Sequence, residues 1–211
     1  PCNMINDPKT ALIGNPVTGK PSFVFIYGYE ADGCTISGEG TIDAVGGTQY
    51  AMAIWADGGK VIINGGTYTN KNAYSPTDSE HYDLIYVKHG GKVTINGGTF
   101  INHGDGCDLI YGRDGGKIYI TGGTFKAGAI RSDLGGGIYG VLNCKDTKGS
   151  VITVSGGKFY EYGAAEAAKV GNGEVILLEG GYYWSAKDAE GYYTVTDKIE
   201  TEEALRSAIA N

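Results

Sequence analysis

One short segment holds the residues best suited to catalysis. In HGDGCD, at residues 103–108, Asp105 and Asp108 follow His103 closely. Asp83 occupies the position equivalent to Asp108 one internal repeat earlier. Neighbouring carboxylates can split their pKa values and divide the acid and base roles of glycoside hydrolysis between them. Asp105, Asp108 and Asp83 are therefore the candidate catalytic residues. The alternative is that Asp83 and Asp108 lie at corners of the fold and accept hydrogen bonds from turn amides.

The spacing of potential ligands does not indicate a metal or a cofactor. A calcium site needs several convergent oxygens, and DGCD lacks the oxygen density of the known calcium loops. The three histidines, His81, His89 and His103, lie at different offsets from the glycine pairs of the repeat, so we do not expect them to converge on zinc. No phosphate loop or dinucleotide fingerprint is present, despite the 37 glycines.

The cysteines give no redox or zinc motif. The chain has four, and none of them forms a CxxC pair: Cys2, Cys34, Cys107 and Cys144. We expect buried thiols. A Cys2–Cys34 disulfide that holds the N-terminal arm is the one bridge to consider, in an oxidising compartment.

An internal repeat supplies the elements that must position these residues. Each copy combines an apolar strand, a glycine pair and an aromatic residue. The copies are GGKVIINGGTYTN (58–70), GGKVTINGGTFIN (90–102), GGKIYITGGTFKA (115–127), GSVITVSGGKFYEY (149–162) and GEVILLEGGYYWS (173–185), with a weaker one in CTISGEGTIDA (34–44). The glycine pairs recur every 24 to 34 residues, which suits a three-sided coil with loop insertions.

Alternation within the copies predicts strands with one buried face. Val93 and Ile95, for example, alternate with the polar residues Lys92 and Thr94. The aromatic residues are predicted to form one inward column: Tyr68, Phe100, Phe125, Phe159 and Tyr183. A second strand precedes each copy, and its inward column contains either Ile85 or Leu84. Polar side chains before the glycine pairs are expected to form a ladder along the axis: Asn64, Asn96, Thr121 and Ser155.

These coils, with their KVTINGGTF signature, resemble the pectate-lyase-like right-handed β-helix superfamily. They are more closely similar to glycine-rich repeat modules of gut Bacteroidetes surface proteins and of phage fibres and tailspikes. The resemblance covers about residues 34–185 and implies an all-β, right-handed parallel β-helix of about six coils with a short C-terminal helix. It implies little about function, because the superfamily holds lyases, hydrolases, adhesins and structural spacers. The Asp105 and Asp108 segment resembles the acid pair of the polygalacturonase branch, but the Gly-His-Gly and Arg-x-Lys motifs of that branch are absent.

Three regions follow from this pattern. Residues 1–33 form an N-terminal arm and cap with a strand in 23–29, and residues 34–196 form the solenoid. After a strand at 190–197, residues 197–211 contain a helix in TEEALRSAIAN, with Thr201 as its N-cap. This helix either caps the solenoid or opens a following domain. The start at Pro1 is expected of a fragment of a longer polypeptide.

Two insertions, at 70–82 and 126–138, are expected to emerge from one side of the solenoid and to carry binding residues. Two aromatic residues near the last coil, Tyr160 and Trp184, are predicted to point outward and to add to this binding surface. The candidate binding residues are Tyr74, His81, Tyr82, Arg131, Asp133, Tyr160 and Trp184. The alternative is that these residues cover an edge or contact a neighbouring subunit.

The predicted function is structural and non-enzymatic: a solenoid segment of a phage fibre or spike-like appendage that presents glycan-binding loops to a host receptor. The alternative is a bacterial adhesin or carbohydrate-binding protein, and a polysaccharide lyase or hydrolase is a third hypothesis. Expected partners are other subunits of the same fibre, as a homotrimer, and a host glycan, on a virion surface or outside the cell. The net charge of −7 argues against nucleic acid, and no apolar segment predicts membrane insertion.

Overall fold

The computed structural model of the chain describes residues 12–13, 24–27, 33–44, 52–70, 83–102, 108–128, 140–145, 148–168 and 176–199, together with residues 202, 205, 206 and 209. Within these residues the chain forms nineteen strands and a short helix, α1 (Ala164–Ala167), and residues 202, 205, 206 and 209 are also helical. The strands make three sheets that we name A, B and C.

From β2 to β16, successive strands belong in turn to sheets B and C and then to sheet A of the next coil. Sheet A contains β1 (Leu12–Ile13), β2 (Val24–Tyr27), β5 (Ile54–Asp57), β8 (Ile85–Lys88), β11 (Ile110–Gly112) and β14 (Leu142–Cys144). Sheet B contains β3 (Cys34–Ile36), β6 (Lys60–Ile63), β9 (Lys92–Ile95), β12 (Lys117–Ile120), β15 (Val151–Val154) and β17 (Ile176–Leu178). Sheet C contains β4 (Thr41–Ala44), β7 (Thr67–Asn70), β10 (Thr99–Asn102), β13 (Thr124–Lys126), β16 (Lys158–Tyr160), β18 (Tyr183–Trp184) and β19 (Tyr192–Thr196).

Neighbouring coils pair in parallel and in register. In sheet B, for example, Val61 lies beside Val93 and Val93 lies beside Ile118. The six strands of sheet B mark six coils, so the predicted β-solenoid is confirmed. Because each coil covers only its neighbours, burial of the apolar column is a property of the stack rather than of any one coil.

The two glycines between sheets B and C are required for different reasons. The first glycine faces the backbone of the preceding coil: a Cβ at Gly122 would lie 2.6 Å from the carbonyl oxygen of Asn96. The second glycine has a positive φ, which is 111° at Gly123. Only glycine meets the first demand without a clash and the second without strain.

Stacked rings fill the core beside sheet C. Phe100 and Phe125 lie with ring centroids 4.9 Å apart and planes 6° from parallel, and Phe125 and Phe159 repeat this at 4.7 Å and 10°. Tyr68 continues the column on the other side of Phe100 at 4.9 Å. The predicted aromatic column is therefore confirmed for its first four members.

The fifth member differs, because sheet C, unlike sheet B, does not continue in parallel at the last coil. Strand β19 lies between β16 and β18 and is antiparallel to both. Trp184 pairs with inward Val195 and contacts Phe159 edge-on, with centroids 5.1 Å apart. The prediction that Trp184 points outward was wrong: its side chain is buried, with 4% exposed. Tyr183 is also buried, and its hydroxyl donates to the carbonyl of Lys198.

The sequence left open whether the inward column of sheet A contains Ile85 or Leu84, and the strand register with burial decides between them. Ile54, Ile85 and Ile110 occupy one column of the core. Leu84 is also buried in the core, but it lies at the bend before β8 rather than in the strand.

The predicted polar ladder is present in part. Asn96 Nδ2 donates to Asn64 Oδ1 at 2.8 Å, and Thr121 Oγ1 donates to Asn96 Oδ1 at 2.9 Å. Asn64 Nδ2 extends the ladder to Ser37 Oγ at 3.2 Å. No hydrogen bond of the Ser155 side chain is found among the residues that the structure describes.

Both chain ends contain the predicted elements. The strand predicted in 23–29 is β2, which pairs with β5 in parallel, and the strand predicted at 190–197 is β19. Four residues of the predicted C-terminal helix are described and are helical: Glu202, Leu205, Arg206 and Ile209. Thr201, its predicted N-cap, lies outside the described residues.

Two of the cysteines are described. Cys34 is disulfide-bonded, so the expectation of a buried thiol was wrong for this residue. Its predicted partner, Cys2, lies outside the described residues, and the Cys2–Cys34 pairing stays a prediction. Cys144 is a buried thiol, as expected.

Candidate functional site

The best catalytic candidates lie at a corner of the solenoid, immediately before the sheet A strands. Asp83 Oδ1 accepts a hydrogen bond from the backbone amide of Asp108 at 3.3 Å. One coil further, Asp108 Oδ1 accepts the amide of Gly140 at 2.9 Å. The other oxygen of Asp108 accepts Asn143 Nδ2 at 2.6 Å. Each carboxylate thus binds the start of the next coil.

Burial governs the electrostatics of this corner. Asp83 and Asp108 expose only 4% and 2% of their surface. Burial, together with the charge of Asp108, raises the pKa of Asp83 well above its ordinary value, although the Asp108 amide acts in the opposite direction. A general acid with a raised pKa is useful in catalysis only where a substrate can reach it.

The contacts confirm the alternative that Asp83 and Asp108 bind turn amides. The third catalytic candidate, Asp105, and its neighbour His103 lie outside the described residues. The structure therefore brings Asp83 and Asp108 together through a peptide amide rather than around an open site.

A second cluster, missed in the sequence, lies where sheet A turns into sheet B. His89 Nδ1 lies 2.6 Å from Asp57 Oδ1, and Lys88 Nζ lies 3.5 Å from Asp57 Oδ2. The same Lys88 ammonium lies over the ring of Trp55, 4.6 Å from its centroid, and 5.6 Å from that of Tyr86. This arrangement joins an ion pair to a cation–π contact.

Aromatic rings continue this cluster along the outer side of sheet A. Trp55 and Tyr86 have centroids 5.8 Å apart, and Tyr86 and Tyr111 stack at 5.6 Å. Tyr86 points away from the core yet exposes only 2% of its surface, and burial raises its pKa above the ordinary value. The available signal was the recurrence of an aromatic residue after each isoleucine of the sheet A column.

Among the described candidate binding residues, Tyr160 has a partly exposed side chain, and we call this residue and its neighbours Lys126 and Tyr192 the Tyr160 surface. Lys126 Nζ lies 4.4 Å from its ring centroid, and Tyr192 contacts it edge-on with centroids 5.3 Å apart. Tyr160 is half-buried, whereas its predicted partner Trp184 belongs to the core. The other five candidates lie outside the described residues: Tyr74, His81, Tyr82, Arg131 and Asp133.

The described residues contain neither a candidate metal site nor a helix that could span a membrane. No group of three or more histidine, cysteine, aspartate and glutamate side chains in them could hold a metal ion. None of their helices has the length and apolar character needed to cross a membrane.

Three comparisons with known proteins give no match. No protein-family model matches the chain, and neither a curated protein nor a solved structure is significantly similar to it.

Proposed function

We propose that the chain is a structural, non-enzymatic solenoid segment of a fibre or spike-like surface appendage. The observation that carries this proposal is a pair of hydrogen bonds at Asp108. Its two carboxylate oxygens accept from Gly140 and Asn143 of the following coil. The residue best placed in the sequence for acid–base chemistry thus serves to join coils. The polar ladder through Asn64 and Asn96 has the same effect on another edge.

The resemblance to pectate-lyase-like and phage fibre modules supports the finer part of the proposal. On that basis the parent protein is a phage fibre or tailspike on the virion surface, and the partners are identical subunits in a homotrimer. Sedimentation equilibrium of the purified chain tests the trimer, since a monomer at every concentration would contradict it.

An activity assay tests the non-enzymatic part. The wild-type chain and the Asp105→Asn/Asp108→Asn double variant are incubated with a panel of acidic polysaccharides, and chain cleavage is followed by viscosity and by new reducing ends. We expect no cleavage by either protein. Cleavage by the wild type would overturn the proposal, whether or not the double variant retains it.

A bacterial adhesin or carbohydrate-binding protein is the second candidate, and the Tyr160 surface favours it. An aromatic ring flanked by Lys126 and Tyr192 offers a stacking face and polar neighbours to a sugar. Glycan-array binding that Tyr160→Ala, Tyr74→Ala or Arg131→Ala abolishes, and that Thr99→Ala on the same sheet retains, would support this candidate. Absence of binding across the array would exclude it.

A further inference from the structure

Sheet B carries a column of lysines on its outer side, which we call the lysine column. Lys60, Lys92 and Lys117 are the first residues of β6, β9 and β12 and pair in register. The residue after each lysine enters the core, so the lysines point outward. Strands in a sheet are about 4.8 Å apart, which sets three positive charges in a row parallel to the solenoid axis.

No ion pair among the residues that the structure describes neutralises this row. Within the described part of the chain, none of the three lysines forms an ion pair. Lys92 Nζ lies 4.7 Å from the ring centroid of Tyr119, and Lys117 Nζ donates to the carbonyl of Gly149. Like charges directly opposite one another destabilise a sheet, so the column costs stability that an external anion would recover.

The lysine column stands against the charge of the whole chain. The formal net charge is −7, so general adhesion to polyanions is opposed by repulsion elsewhere. Attraction of an anion must therefore come from a local cluster of positive charge, and the lysine column is such a cluster.

Hydrogen-bonding side chains run beside the lysine column. Asn64, Asn96 and Thr121 form the exposed ladder at the other end of the same strands. An amide has two N–H donors and two acceptor lone pairs, so the ladder bonds leave capacity for a ligand. Between the two columns lie Tyr119, which is half-buried, and Ile62, which is 39% exposed.

We propose that this outer face of sheet B binds a linear polysaccharide that carries carboxylate or sulfate groups, lying along the solenoid axis. The lysines would neutralise its repeated charges, and the asparagine ladder would bind its hydroxyl groups. A nucleic acid fits less well, because single strands are held by successive stacking rings and the strands of sheet B present one aromatic ring, that of Tyr119, on this face. This proposal does not depend on the proposed structural role, since a solenoid segment can serve as a spacer whether or not it binds a polysaccharide.

The test measures binding of polygalacturonate to the purified chain by calorimetry at low and at physiological salt. The test variant is Lys60→Gln/Lys92→Gln/Lys117→Gln. Its matched control, Lys158→Gln/Lys187→Gln/Lys198→Gln, removes three charges from outside sheet B. We expect the test variant to lose at least tenfold in affinity and to show a shallower salt dependence, and the control to change by less than twofold.

Two further measurements make the result decisive. Thermal unfolding of the test variant should show a midpoint at or above that of the wild type, because repulsion is relieved, and the single variant Lys92→Gln serves if the triple variant does not fold. Equal loss of affinity in both variants, or no binding by the wild type, would overturn the proposal. Tighter binding of oligothymidylate than of polygalacturonate would also overturn it, since the partner would then be a nucleic acid.

Discussion

Asp83 accepts the backbone amide of Asp108 through Oδ1 at 3.3 Å, so that two buried acids lie one coil apart with a single peptide between them. The arrangement fixes the start of β11 relative to β8. It also places two carboxyl groups close together in a medium where charge is costly. The structure therefore combines a useful hydrogen bond with an unfavourable charge, and these two effects can be separated.

Replacement of Asp83 by asparagine should raise stability at neutral pH. The pKa of Asp83 is raised in the fold, so its contribution is full below its unfolded pKa of about 3.9 and is lost as the pH rises through the folded pKa. Asparagine keeps an oxygen for the Asp108 amide without the charge. We expect Asp83→Asn to increase the thermal midpoint at pH 7 by several degrees and to change it little at pH 4.

The control for this experiment is Asp197→Asn, which removes an exposed carboxylate and corrects for net charge. If Asp83→Asn instead lowers the midpoint at pH 7, the carboxylate of Asp83 stabilises the corner in its ionised form.

The glycine pairs allow a comparison between two equivalent positions. A Cβ at Gly156 would lie 2.1 Å from the carbonyl oxygen of Thr121, whereas nothing lies within 4 Å of a Cβ at Gly180. We expect Gly156→Ala to destabilise the chain by about 2–3 kcal/mol and Gly180→Ala to remain within about 0.5 kcal/mol of the wild type. Chemical denaturation checks both, and equal effects would show that close approach of the coils does not explain the first glycine of the pair.

The regular coils could be predicted because their chemistry repeats. Val93 and Phe100 recur with the same offsets from a glycine pair, so one correct strand assignment fixes the others. Trp184 could not be placed in this way, because its orientation depends on β19, a strand that pairs antiparallel and has no counterpart in earlier coils. The helix α1 was missed for a similar reason: between β16 and β17 it occupies the place in the chain order where earlier coils have a sheet A strand.

The site was harder to predict than the fold. The residue type and the neighbours of Asp108 fit an acid catalyst, and they fit equally well a structural residue that joins two coils at a corner. Its role depends on whether Gly140 and Asn143, more than thirty residues away in the chain, meet its two oxygens. The sequence identified the residues of the lysine column only as solvent-facing. That they form a row of charges follows from the register of three coils.

Removal of one ring from the aromatic column should be costly. Phe125 is fully buried between Phe100 and Phe159, and a core phenylalanine replaced by alanine costs about 3–5 kcal/mol. We expect Phe125→Ala to lose stability in this range, measured by urea denaturation. The neighbouring Thr124→Ala, on the outward face of the same strand, should cost less than about 1 kcal/mol. A small effect of Phe125→Ala would mean that the core closes around the missing ring.

Tyr68 predicts a specific response to alkali. It occupies the phenylalanine position of the column, and its hydroxyl donates to the carbonyl of Gly65 at 3.0 Å. Burial raises its pKa from 10.0 to about 12. Its contribution to stability is therefore full below pH 10 and is lost as the pH rises towards 12, since the unfolded phenol ionises first.

The variant Tyr68→Phe keeps the ring and removes this ionisation. At pH 8 we expect it to be slightly less stable than the wild type, by about 1 kcal/mol, because the hydrogen bond to Gly65 is lost. Between pH 10 and 11.5 its urea midpoint should fall less steeply than that of the wild type, so that the difference narrows or reverses. Thr124→Ala, which removes no ionisable group, should not alter the slope. Parallel slopes for the wild type and Tyr68→Phe would show that Tyr68 does not hold its proton in the fold.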